Sequence, residues 1–145
     1  MATLYSTVEK RFVYKIEDSE LIELPDVDRL DMTDAYRESA EVEFKKCTKL
    51  STKDDVAREY PDDLTNEEIE ILAYGMVLSW VTPKVNSLDN LKQKMSTKDY
   101  KIYSQANQLD KMTSLKLESE NKVKNMIKSY TYTENIVDFK NWRDR

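Results

Sequence analysis

Three aspartates, Asp26, Asp28 and Asp31, sit close enough together to suggest a calcium loop, and Cys47 is the chain's one thiol. Carboxylates also come in adjacent pairs at Asp54/Asp55, Asp62/Asp63 and Glu67/Glu68, as a general acid and its partner would. None of these survives a spacing test. An EF-hand loop needs a turn glycine and a closing bidentate glutamate, and the 26–31 run has neither; Leu30 stands where a ligand belongs. Acids opening a helix are favoured by its dipole, which accounts for them without a metal. Neighbouring carboxylates on a helix point to different sides, which does not make a glycosidase-type dyad. Cys47 alone makes neither a disulfide nor a zinc site, and at the end of an amphipathic helix it reads as a small buried hydrophobe.

The rest of the composition points the same way. There is no histidine, which removes the commonest general base and the commonest metal ligand together. A single glycine, Gly75, leaves no Walker loop and no dinucleotide cradle. No cofactor, no metal and no enzymatic activity are expected. The formal charge of −5 shows no basic patch for gripping phosphate, although an acidic wall suits a conduit along which DNA slides. The nine tyrosines form the more informative excess. Tyr100, Tyr103 and Tyr130 fall on an apolar helical stripe. Tyr132, Ile136, Phe139 and Trp142 lie instead among charges near the C-terminus, where aromatic anchors are typical of protein interfaces. Those four are the candidate partner-binding residues.

The elements that must position them are helices. One glycine and three prolines in 145 residues argue against a sheet rich in tight turns. Leu4, Val8, Phe12 and Ile16 recur every fourth residue and predict a first amphipathic helix over 3–17. A second is predicted over 26–46, with Val27, Leu30, Ala35, Ala40, Phe44 and Cys47 inward and Arg37, Glu38, Glu41 and Lys45 in water. Residues 49–63 read as a polar loop with at most one helical turn. Thr65 followed by Glu68 forms a capping box, with Leu64 placed to staple onto Ile69. The helix it opens carries Ile69, Leu72, Ala73, Met76, Val77, Trp80 and Val81, and is the predicted core. Gly75 and Ser79 offer a neighbouring helix a close approach, and Pro83 is expected to stop or kink the helix near Thr82. After a brief amphipathic piece, a rod of about 33 residues, roughly 50 Å long, is expected to run from Ser96 or Thr97 to Tyr130. Because its stretch over 116–122 is markedly polar, its distal half is expected to leave the core or meet another chain. The alternation Tyr130-Thr131-Tyr132-Thr133 predicts extended backbone. The expected architecture is therefore all-α: a helical bundle over 1–130 with one long C-terminal helix, and an extended C-terminal arm over 131–145. No apolar run approaches the ~20 residues of a membrane span and the N-terminus has no signal-peptide pattern, so a soluble product and no membrane contact are expected.

The stretch Leu64-Thr65-Asn66-Glu67-Glu68-Ile69-Glu70-Ile71-Leu72-Ala73-Tyr74-Gly75-Met76, with Ser79-Trp80-Val81-Thr82-Pro83 and Tyr103-Ser104-Gln105-Ala106-Asn107-Gln108-Leu109, resembles the head–tail connector or adaptor (neck) proteins of tailed phages infecting Gram-positive bacteria. The resemblance covers roughly 64–132 and is weaker in the first helix. It implies a structural virion subunit, assembled in the host cytoplasm and resident in the neck. Its partners would be the portal protein, other neck or tail proteins, and copies of itself in a dodecameric ring through which DNA passes without specific binding. The absence of a basic arm speaks against a role in gripping DNA. Two other readings fit the bare sequence: a small helical regulator binding a host protein, and a tail or baseplate assembly chaperone.

Overall fold

A computed structural model describes residues 2–16, 23–94 and 100–143, with side chains over 2–16, 23–87 and 109–132. In chain order these hold β1 (Thr3–Leu4), α1 (Tyr5–Lys15), α2 (Asp26–Glu43), a 3-10 helix (Thr48–Thr52), β2 (Glu59–Tyr60), α3 (Asn66–Lys94) and α4 (Tyr100–Arg143). The protein is an all-α bundle organised around α3, against which α1, α2 and α4 all pack.

The chain opens with a strand before it becomes helical. Thr3 and Leu4 pair antiparallel with Tyr60 and Glu59, and the Tyr5 amide donates to the Arg58 carbonyl at 3.0 Å. With residues 3–4 committed to that ladder, α1 starts at Tyr5. Its buried stripe becomes Tyr5, Val8, Phe12 and Ile16, while Leu4, expected inside, stays half exposed.

The second helix departs from the expected pattern. Its buried residues are Thr33, Arg37 and Ala40, followed by Phe44 at its C-cap; Val27 is exposed, and so is Ala35. Arg37, expected in water, is almost fully buried because its charge is met inside the fold by the acids one turn either side, Asp34 and Glu41.

The third helix begins as its capping box requires. The Glu68 amide donates to Thr65 Oγ1 at 3.2 Å, and the Thr65 amide donates to Glu68 Oε1 at 2.8 Å. Leu64 and Ile69 are both buried beside it. Ile71, Leu72, Ala73, Met76, Val77, Trp80 and Val81 continue an apolar arc wide enough to meet three neighbours. At Gly75 a methyl group would lie 2.7 Å from Ala40 Cβ, so glycine is what lets α2 and α3 come together. Pro83 does not end the helix, which continues to Lys94. Proline forfeits one amide bond, to the Ser79 carbonyl, but Val81 and Val85 on either side are held against the core. Thr82 turns its hydroxyl back to the Leu78 carbonyl at 2.7 Å.

The fourth helix is longer than expected: 44 residues, or roughly 66 Å at 1.5 Å per residue. The 116–122 stretch does not leave the bundle, for Ser119 and Val123 are buried and Met126, Ile127 and Tyr130 pack on the core beyond it. The extended arm is also corrected, since the backbone is helical through Arg143. Thr131 satisfies its hydroxyl on the Ile127 carbonyl at 2.9 Å. No glycine or proline follows Pro83 to interrupt the amide ladder, so the strand preference of Tyr132 and Thr133 is overridden by the helix already running. Among the described residues no helix is long and apolar enough to cross a membrane.

Candidate protein-binding interface

The root of the candidate interface is a buried carboxylate. Glu68 is 1% exposed and receives four donors from three separate parts of the chain. Oε1 accepts the Thr65 amide at 2.8 Å and Lys49 Nζ at 2.9 Å. Oε2 accepts the Cys47 thiol at 2.9 Å and the Tyr130 hydroxyl at 3.1 Å. Burial alone would raise the Glu68 carboxyl, but the thiol, the Thr65 amide and Lys49 outweigh it and hold the pKa at about 2. The same geometry keeps the thiol neutral, since burial and the adjacent carboxylate push Cys47 up to about 12. Cys47 is thus a buried donor, and the Tyr130 ring closes the cluster edge-on against Phe44 at 5.0 Å.

Tyr130 is therefore fixed to the first turn of α3. Thirteen further residues of α4 follow Tyr130, to Arg143, roughly 20 Å of helix. The buried stripe of α4 up to here is Ser119, Val123, Met126, Ile127 and Tyr130. At about 100° per residue, position 132 lies on the opposite side of the helix, and Tyr132 is 68% exposed. Positions 136, 139 and 142 fall within roughly 120° of one another and of 132 by the same arithmetic. By helical position the four residues singled out in the sequence thus fall on one side of α4, and of them Tyr132 is opposite the buried stripe. The side chains of Ile136, Phe139 and Trp142 lie outside the described residues.

Comparison with protein-family models, curated proteins and solved structures finds no match.

Two of the acids that suggested a metal loop or a catalytic pair have partners within the fold. Asp26 pairs with Arg29 at 2.7 Å in the first turn of α2, and Asp55 accepts the Tyr5 hydroxyl at 2.7 Å. A second polar cluster, which the sequence pattern did not single out, braces the N-terminal half of α1. Arg37 lies over the Tyr5 ring, 3.7 Å from its centroid. It also bonds Glu41, which in turn accepts the Tyr60 hydroxyl at 2.6 Å and Lys53 at 2.9 Å. Arg58 grips Asp34 through two nitrogens, at 2.8 and 2.9 Å, and reaches Glu9 at 3.0 Å. Hydrogen bonds from Arg58 hold the Asp34 carboxyl below its ordinary range, whereas burial raises that of Glu9 despite Arg58 beside it. The clue available in the sequence is spacing: Thr33, Arg37, Ala40 and Phe44 recur at helical intervals, with Asp34 and Glu41 a turn either side of the arginine.

Proposed function

We propose that the chain is a structural subunit of a tailed-phage neck, a head–tail adaptor that joins copies of itself in a ring below the portal. The observation that carries this reading is Tyr132, exposed on the face of α4 opposite the one that packs inward, on a helix that continues to Arg143. A helix presenting anchors at i, i+4 and i+7 is suited to a groove on another protein. The resemblance of 64–132 to neck adaptors names the class of partner: the portal, the next neck or tail protein, and sister subunits, twelve to a ring. In this reading the chain carries out no chemistry and holds no cofactor, in keeping with a sequence without histidine. Its acidic balance repels the phosphates of DNA passing through the bore, and nothing binds that DNA specifically. The protein would assemble in the host cytoplasm and remain in the virion.

The sharpest test is composition of purified particles by mass spectrometry; an absence from washed virions would end the proposal. A second test removes residues 131–145. The shortened subunit is expected to keep its helical signal and melting temperature, because Tyr130 is the last core anchor among the described residues, yet to lose attachment to the portal or the adjoining ring. Normal attachment would mean that this face is not the docking surface.

A further inference from the structure

The turn between Asp54 and Glu59 is built to hold one apolar side chain in water. These two residues exchange backbone bonds of 2.9 and 3.0 Å. Asp54 Oδ1 accepts the amides of Val56 and Ala57, both at 3.0 Å. The turn exits through Arg58 at φ 56°, a left-handed conformation that side chains other than glycine rarely adopt. The clamp of Arg58 on Asp34 and Glu9 holds it there. At the tip of this braced turn Val56 is 97% exposed. A lone exposed valine is ordinary, but one fixed so firmly is pre-organised, which lowers the entropy lost on binding. Asp54 and Asp55 flank it, and neither makes an ion pair among the described residues.

A complementary surface lies on the same chain. Between α1, α3 and α4 opens a cavity of about 250 Å³. Tyr74, Val77 and Leu115 give it an apolar lining, and Lys15, Lys122 and Glu118 add charge. Both ammonium groups stand over the Tyr74 ring, at 4.2 and 4.5 Å from its centroid. The lining thus holds two cations and one carboxylate; Lys15 is paired with Glu70 at 3.0 Å, and Lys122 is the exposed cation at the mouth. Tyr5, at one end of α1, touches the turn through Asp55; Lys15, at the other end, touches the cavity. The two surfaces are thus separated along α1 by ten residues, roughly 15 Å.

We propose that Val56 of one copy seats in the Lys15–Lys122 cavity of the next, with Asp54 and Asp55 against the lysines. The occupant is a second copy because the acidic apolar knob and the cationic apolar socket are carried by one chain on separate surfaces. Such a contact is heterologous: each subunit gives a knob and receives one, and repetition closes a ring or extends a filament. The inference rests on the ring-forming reading above and supplies it with a contact.

Sedimentation velocity of the full chain at rising concentration tests it. The wild type is expected to form oligomers larger than dimers. Val56→Asp and Lys122→Glu are each expected to be monomeric with unchanged melting temperature, both sites being exposed. An equal mixture of the two variants should form heterodimers and nothing larger, because it has one intact knob for each intact socket. A wild type monomeric at every concentration, a Val56→Asp chain that assembles like wild type, or a mixture that stays monomeric would each overturn the contact. Virion composition separates this result from the neck reading. If particles hold the protein while Val56→Asp assembles normally, only the contact falls; if mixing behaves as expected but particles lack the protein, only the neck role falls.

Discussion

Replacing Glu68 by glutamine keeps the side chain's shape and removes its charge, and the structure sets both the size and the pH dependence of the effect. The carboxylate is buried and accepts from Thr65, Lys49, Cys47 and Tyr130. Its pKa falls from 4.5 to about 2 in the fold. At ~1.4 kcal/mol per unit, that depression corresponds to roughly 3 kcal/mol of stability at neutral pH. A carboxyl depressed by folding stabilises fully above its unfolded value, and the contribution is lost as pH falls through its folded value. The deficit of Glu68→Gln relative to wild type should therefore be constant at neutral pH and shrink between about pH 4.5 and 2. Any packing defect of the glutamine is independent of pH, and the other acids cancel in the difference between two chains. Urea unfolding followed by tryptophan fluorescence, repeated from pH 7 downward, measures it. A deficit that stays flat from about pH 5 to about pH 3 would show that the ionised carboxylate is not what joins these four groups.

Gly75→Ala should cost about 1–3 kcal/mol despite alanine's better helix propensity, because the new methyl meets Ala40 Cβ at 2.7 Å; a thermal melt equal to wild type would contradict the close approach of α2 and α3. Arg37→Ala should cost about 3–5 kcal/mol, as removal of one member of a buried charge cluster does, and chemical denaturation would read it. A loss under about 1 kcal/mol would make Arg37 the solvent-facing residue that its charge suggests. Trp80→Ala is expected to lose about 3–5 kcal/mol as a large-to-small core change, and Thr65→Ala about 1 kcal/mol through the lost cap; unchanged denaturation midpoints would refute each in turn.

What can be read from the sequence is whatever depends on neighbours within a turn or two. Thr65 and Glu68 are three residues apart, and both halves of their capping box form as expected. The core arc from Ile69 to Val81 and the close approach at Gly75 follow from helical spacing in the same way. The failures involve distant partners. Arg37 is assigned to water by its charge, and only the fold brings Tyr5 and Tyr60 beside it. A two-residue strand has no periodicity to detect, so β1 and β2 leave no trace in the sequence, nor does the displacement of Leu4 by Tyr5 on the inner face. Pro83 and the Tyr132-Thr133 pair carry local preferences against helix, and in both places the established helix continues. Of the four candidate interface residues, Tyr132 is exposed as its charged surroundings suggest, but on a helix and not on an arm.

The Tyr130–Glu68 bond has a mechanical consequence. The inward stripe of α4 repeats once per turn from Leu109 to Ile127 and is apolar except for the small Ser119. Hydrophobic contact between two such rods varies little if one slides a turn, roughly 5.4 Å, along the other. A phenol reaching one buried carboxylate, with its ring edge-on to Phe44, allows no such slip, because a shift of one turn would strand a polar group in the core. Tyr130 thus acts as a detent pin that fixes the register of α4 along α3, so that the exposed Tyr132 two residues on is held at one height.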